Sequence, residues 1–286
     1  MEGVNAMPEF AEVNKQVRWL RARVTGWTIA SHGHTGAGHF PELKGDPAKA
    51  AKLSAWLDGA TLDAVTQRGK HVVFRMSTGV MVSHLMFKGR WSLLGEDFVS
   101  NYKHHAEPPT AKSASFWMVH GDGARLSFHD PEYRGRVRFH AGRAPGAVEE
   151  LRELGPDVLQ TPEGDPDFAA PWDLDDFSAK VAKKRTAIKA LLLDQGIVAG
   201  IGNMYACEAL YRAGVAPTRA GSSLSPEELR RVFEAAQGVV RAAIDSDLDY
   251  DRILQVYKRE LDPAGRAVEV ADVGGRDTYW VPAAQR

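Results

Sequence analysis

"DQGIVAGIGNMYACEALYRAG", Asp194 to Gly214, is the stretch on which the reading of the fold turns. Gly200 and Gly202 flank Ile201, and Asn203 opens a helical pattern. Glycines let a backbone approach a ligand closely, and a helix N-terminus offers free N–H groups and positive potential, which suits a phosphate. A tight turn between two helices needs the same residues, and on local pattern alone that plainer reading is favoured. Just upstream lie Lys180, Lys183, Lys184, Arg185 and Lys189. Such a cluster is ordinarily a solvated face; beside a glycine-rich helix start it points to a nucleic-acid backbone.

The surrounding chain sets limits on this reading. It has 286 residues, 44% hydrophobic and 26% charged, which fits a globular protein of two domains. No apolar run reaches the length of a membrane span, and no basic-then-apolar leader opens the chain, so a cytoplasmic protein is expected. Cys207 is the single cysteine, which excludes an internal disulfide and a multi-cysteine metal cage. The net charge of −1 means that a nucleic-acid binder must gather its cations on one face.

Towards the N-terminus, Pro8 to Val24 carries Phe10, Val13, Val17 and Leu20 at helical spacing, with the proline near the helix start. "DAVTQRGKHVVFRMSTGVMVSHLMFKGRWSLL" and "SFWMVHGDGARLSFHDPEYRGRVRF" alternate β-branched runs with turn residues and read as antiparallel strands. The run "SHGHTGAGHF" sets His32, His34 and His39 close together, but no carboxylate or cysteine completes a metal site, and a solvated loop is expected. Beyond Ala144 the pattern turns helical. "ELGPDVLQTPEGDPDFAAPWD" reads as an interdomain linker, Asp175 or Asp176 as the cap of the next helix, and Lys183 to Leu193 as the helix after it. "SLSPEELRRVF" holds a capping box, with Ser225 as N-cap, Pro226 first and Glu228 third; "VEVADVGGRDTYWV" reads as a hairpin around Gly274-Gly275.

Several of these segments, in order, resemble one family. "MPEFAEV", "RGKHVVF", "VSHLMFKGRW", "FHDPEYRGRV", "LGPDVL", "AKKRTAIKALLLDQGIVAGIGNMYACEALYRAGVAPTRAGSSLS" and "LQVYKRELDPAG…GGRDTYWVPAAQ" are similar to successive parts of the formamidopyrimidine-DNA glycosylase and endonuclease VIII family. The resemblance implies an α+β fold: a leading helix with an antiparallel β-sandwich domain over 1–143, a linker over 144–172, a helix–two-turn–helix domain over 173–250 and a β-hairpin finger over 251–286. It implies a base-excision-repair DNA glycosylase with AP-lyase activity, monomeric and free of cofactors, acting in the bacterial nucleoid on double-stranded DNA with oxidised bases or abasic sites. The nucleophile it implies is Pro8, as an N-terminal secondary amine that forms a Schiff base with the sugar. Glu9 matches the acid/base glutamate and Lys70 the lysine that reaches the lesion's phosphate. Asn203 and Arg276 match DNA-backbone contacts, and the basic cluster adds Lys183, Lys184 and Lys189 as expected DNA contacts; Phe87 matches the side chain that fills the void left by the flipped base.

The chain departs from the family pattern at four places. The positions of the family's zinc ligands carry Ala264, Ala267, Val281 and Ala284, so a zincless finger held by packing is expected. The wedge loop reads Glu132-Tyr133-Arg134, with Glu132 in place of a pairing arginine and Tyr133 free to stack. The connection "DSDLDYD" is short, which argues for lesions other than 8-oxoguanine. Finally, Met7 and six further residues precede Pro8, and an amide nitrogen has no nucleophilic lone pair; a functional start at Pro8 is expected. The alternative is a catalytically silent DNA-binding protein that recognises damaged or abasic sites.

Overall fold

The computed structural model describes residues 7–35, 47–93, 113–132 and 134–286. They form two compact units. The first comprises the residues up to Pro8, then Glu12–Arg152 and Pro162–Phe168; the second comprises Glu9–Ala11, Glu153–Thr161 and Ala169–Arg286.

In the first unit the long helix α1 (Phe10–Val24) turns Val13, Val17, Leu20 and Val24 inward and leaves Arg21 and Arg23 in solvent. Helix α1 begins two residues after Pro8, so the proline precedes the helix instead of opening it. Eight strands follow: β1 (Ile29–His34), β2 (Leu62–Arg68), β3 (His71–Met76), β4 (Gly79–His84), β5 (Arg90–Leu93), β6 (Ala114–His120), β7 (Arg125–His129) and β8 (Arg136–Ala141). They pair antiparallel in two sheets, ordered β1-β6-β7-β5 and β2-β3-β4-β8. Alternate residues of both sheets meet the inner face of α1 in one core. Trp91 sits at its centre, edge-on or tilted to Phe74, Phe116 and Phe128, with its indole N–H donating to Ser83 Oγ at 3.1 Å. Truncating it to alanine leaves a cavity that costs about 3–5 kcal/mol.

Turn chemistry fixes the register of the second sheet. Arg68 pairs with His71 across a two-residue turn in which Gly69 takes φ 55°, and Met76 pairs with Gly79 across Ser77-Thr78. The histidine-rich run departs from its expected loop: His32 and His34 belong to β1, paired with β6, while His39 lies outside the described residues. Helix α2 (Pro47–Leu57) is absent from the sequence reading; Ser54, and Asp58 just beyond its end, lie at 3.4 and 3.0 Å from the His32 ring nitrogens. The expected linker is in part tied down within this unit. Asp165 accepts from Thr66 Oγ1 at 2.5 Å and from the Arg75 guanidinium, and a short helix α3 (Glu149–Arg152) precedes it.

The second unit holds α4 (Leu174–Val181), α5 (Ile188–Leu193), α6 (Asn203–Ala213), α7 (Pro226–Asp245), α8 (Tyr250–Ile253) and the terminal hairpin of β9 (Glu269–Asp272) and β10 (Asp277–Trp280). Helix α4 is capped by Asp173, which accepts from the N–H groups of Asp175 and Asp176; the two expected caps are therefore the capped residues. Helix α5 starts at Ile188, so Lys183 and Lys184 stand exposed in the turn before it. Helix α7 opens with the expected box, Ser225 and Glu228 bonding each other's backbone. It buries Leu229, Val232, Ala236, Val239, Val240 and Ala243, and packs along α6. Among the described residues no helix is long and apolar enough to cross a membrane.

Candidate active site

Glycine at position 202 leaves the head of α6 without a capping side chain, and Glu9 supplies one from 193 residues earlier. Its carboxylate accepts from the N–H groups of Gly202 at 2.8 Å, Met204 at 2.7 Å and Tyr205 at 3.1 Å. Both oxygens act as acceptors, as in an ionised carboxylate placed at the positive end of a helix. The two glycines make this possible. A Cβ on Gly202 falls 2.5 Å from Glu9 Cδ, and one on Gly200, whose φ is 105°, falls 2.5 Å from the Phe10 ring. Phe10 N–H closes the arrangement on the Gly200 carbonyl at 3.0 Å. The glycine-rich turn therefore seats Glu9; the helix N–H groups that the sequence offered to a phosphate are taken by this carboxylate.

Asn203, the first residue of α6, donates from Nδ2 to the Asp277 carbonyl at 2.9 Å, and its buried Oδ1 lacks a partner. The Tyr257 phenol faces the same place: burial and the Glu9 charge push its pKa up, and a bond with Asn203 opposes them. Tyr257 is positioned from below by Glu208, a wholly buried carboxylate that accepts from the N–H groups of Gln255, Val256 and Tyr257 at 2.8–2.9 Å. Burial raises the Glu208 pKa against those three bonds. The sequence reading passed over both residues. The available signal was a glutamate inside the apolar run "YACEAL".

Arg276 lies at the tip of the terminal hairpin with its side chain exposed. Lys189 does not stand at the surface as a phosphate contact. It is 0% exposed, and its Nζ donates to Thr278 Oγ1 at 2.5 Å and to the carbonyls of Arg276 and Asp277 at 3.4 Å. Burial, with Arg276 nearby, lowers the Lys189 pKa. Cys207 is buried beside it, and desolvation pushes its thiol to about 12. The four residues at the family's zinc positions offer no thiolate or imidazole, so they do not fit the metal. Packing is not the substitute that was expected, since Ala264 and Ala267 are exposed and only Val281 is buried. Polar ties hold the finger instead. Asp262 accepts from Tyr211 Oη at 3.0 Å, from Arg266 Nε at 2.6 Å and from the backbone of Ala264 and Arg266. Gln285 bridges the Val281 N–H and the Val215 carbonyl at 2.7 and 2.9 Å.

The other expected residues lie in the first unit. Pro8 is buried; Lys70, in the β2–β3 turn, is only 7% exposed. Phe87 sits in the β4–β5 turn after Met86, which takes φ 52°, and the Arg134 guanidinium lies 5.3 Å from its ring centroid. Glu132 pairs with Lys88 at 2.8 Å, and Asp130 accepts from the N–H groups of Glu132, Arg134 and Gly135, so Phe87, Glu132 and Arg134 are gathered on two adjoining loops. Tyr133 lies outside the described residues. The sequence reading also missed the cavity of about 160 Å³ lined by His71, His84, Met86, Arg136, Arg138 and Glu150. Its histidines face each other across β3 and β4, a register that the Ser77-Thr78 turn dictates; burial pushes His71 to about 4 and His84 well down.

A family model described as the formamidopyrimidine-DNA glycosylase N-terminal domain matches residues 7–137, and one described as the formamidopyrimidine-DNA glycosylase H2TH domain matches residues 163–252. Formamidopyrimidine-DNA glycosylase of Bacillus cereus is 29% identical over 297 aligned positions, spanning 98% of this chain and 99% of that protein. The same-named protein of Geobacillus kaustophilus is 29% identical, spanning 98% and 100%. Among solved structures, the Lactococcus lactis protein bound to DNA with an abasic site superposes with a TM-score of 0.79 at 22% identity, over 97% of this chain and 99% of that one. Its complex with FAPY-dG DNA gives 0.78 at 23%, over 97% and 100%. At such identity the structural likeness speaks to the fold alone.

Proposed function

The chain belongs to the formamidopyrimidine-DNA glycosylase family, and on that premise we propose how its own residues carry out the work of a base-excision-repair DNA glycosylase. The substrate is double-stranded DNA bearing oxidised bases or abasic sites, and the place of work is the nucleoid. Pro8, with a free secondary amine, attacks the sugar C1′, and the base departs with the electrons of the glycosidic bond. The covalent iminium then leads to strand cleavage, which is the AP-lyase step. Glu9, ionised in its seat, takes the proton that the Pro8 nitrogen sheds on attack, delivers it to the sugar oxygen as the ring opens and is left ionised to accept another later. Lys70, Asn203 and Arg276 hold phosphates around the extruded nucleotide; Phe87 and Arg134, with Tyr133, occupy the space it vacates.

The observation that carries this reading is the seat of Glu9. A carboxylate immediately after the nucleophile, 2% exposed and fixed by three N–H donors, is oriented as an acid/base group must be. A surface glutamate serving only as a helix-dipole partner needs no such enclosure.

Borohydride trapping on abasic duplex tests the proposal. A chain whose first residue is Pro8 forms a covalent adduct, Pro8→Gly weakens it, and a chain that retains Met7 forms none. Equal trapping by all three removes Pro8 from the role of nucleophile. Binding without trapping in every form supports the silent damage-binding reading instead. Four residues separate α7 from α8, and the shortness of this connection supports a preference for lesions other than 8-oxoguanine. In single-turnover assays, 8-oxoguanine opposite cytosine is expected to be excised more slowly than oxidised pyrimidines; the reverse order contradicts this part of the proposal.

A further inference from the structure

Burying a lysine ammonium is costly unless hydrogen bonds replace its water. Lys189 is the lysine among the described residues with no exposed surface, and its partners are concentrated on one object. They are the Thr278 hydroxyl and the carbonyls of Arg276 and Asp277, three successive residues at the start of β10. The same turn is gripped from three other directions. Asn203 donates to the Asp277 carbonyl, the Thr278 hydroxyl donates to the Arg276 carbonyl at 3.0 Å, and the Val273 N–H donates there at 3.1 Å. Gly274, at φ 65°, rests on α5, where an added Cβ comes within 3.3 Å of Ala190. The backbone of Arg276 is thus fixed to the helices while its guanidinium stays exposed.

We propose that Lys189 is a positioning residue that aims Arg276, a buried cation doing for the metal-free finger what a bound ion does elsewhere: fixing the loop that presents the phosphate-binding arginine. The inference rests on the reading of Arg276 given above. It separates Lys189 from Lys183 and Lys184, which stand in solvent and reach a phosphate only as free surface charges. Burial also explains the choice of lysine. Its three donors on one nitrogen match three acceptors converging from one side, which a planar guanidinium does not.

The test is a double-mutant cycle on binding to a duplex carrying a tetrahydrofuran abasic analogue, read as affinity against salt concentration. Arg276→Ala is expected to weaken binding roughly ten-fold or more and to lower the salt slope by about 0.9, one phosphate contact. Lys189→Met, similar in length and uncharged, is expected to do the same, and the double variant no more than either single one. Thermal unfolding of each variant verifies folding. Thr278→Val, which removes one acceptor and keeps the shape, gives a smaller loss that disappears in the Arg276→Ala background, and it carries the test if Lys189→Met does not fold. Additive losses, with a slope lowered by about 1.8 in the double variant, show Lys189 acting on phosphate by itself and overturn the inference. Full affinity in Lys189→Met overturns it as well. An Arg276→Ala protein with unchanged affinity and slope refutes a different claim, the role of Arg276.

Discussion

Glu9 is legible in the sequence as a residue type but not as a place. Nothing near it in the chain says that its carboxylate closes the head of a helix 193 residues away, because that partnership exists only after folding. Gly200 and Gly202 carried the complementary half of the information, but local pattern favoured a tight turn between helices, with a phosphate seat as the other reading. Replacing Glu9 by glutamine keeps the shape, removes the charge and turns an amide towards three N–H donors. The expected outcome is a fall in base excision of about 10²–10⁴-fold, the usual contribution of an acid/base group. Affinity for the abasic analogue should stay within a few-fold. Single-turnover rates beside equilibrium binding decide it, and a parallel collapse of both would mark Glu9 as purely structural. Lys189 illustrates the same limit in reverse: a cation in a basic cluster reads as surface, and only the fold shows it lying under the finger.

At the scale of elements, what was legible follows from short-range chemistry. The capping box at Ser225, the β2–β3 turn at Gly69 and the hairpin at Gly274-Gly275 are set by residues two to four apart, and all three form. What was missed depends on distant partners: α2, the strand through His32 and His34, and the polar ties of the finger. Those ties lead to the prediction that the finger needs no metal. Elemental analysis is expected to find no stoichiometric zinc, and a chelator to leave DNA binding unchanged, whereas Gln285→Leu loosens the C-terminal turn and weakens binding. Inhibition by chelator would contradict this. The sandwich strands carry a second consequence. His129 lies between Ser92 and Ser113, with hydroxyls at 2.8 and 2.9 Å, and burial, reinforced by Arg90, lowers its pKa from 6.5 to about 4. The unfolded chain therefore binds the proton more readily, and stability is lost as pH falls from 6.5 towards 4. At about 1.36 kcal/mol per unit, His129 alone withdraws on the order of 3 kcal/mol over that range. His71 and His84 act in the same direction. A melting series over this range should be flatter for His129→Gln than for the parent; identical slopes would refute the assignment.

Over the whole molecule, a net charge of −1 gave no sign of a nucleic-acid partner. The residues proposed to meet DNA make the point: Lys70 and Arg134 belong to the first unit, Asn203 and Arg276 to the second, and acidic groups elsewhere balance the total. Composition records the sum and not the distribution. The way the finger is held has one more consequence, concerning the conditions under which such an enzyme is needed. Oxidised bases accumulate under peroxide, and thiolates clustered around a metal are among the first protein groups that peroxide attacks. This finger contains no thiolate, and the chain's one sulfhydryl is buried and held protonated, its pKa near 12. Hydroxyl, amide, carboxylate and ammonium groups do the joining, none of which hydrogen peroxide oxidises readily. Preincubation with millimolar peroxide is therefore expected to leave DNA binding intact, as measured by fluorescence anisotropy, and a loss of binding restored by a thiol reductant would contradict it. The damage that creates the substrate then leaves the enzyme's grip on DNA untouched.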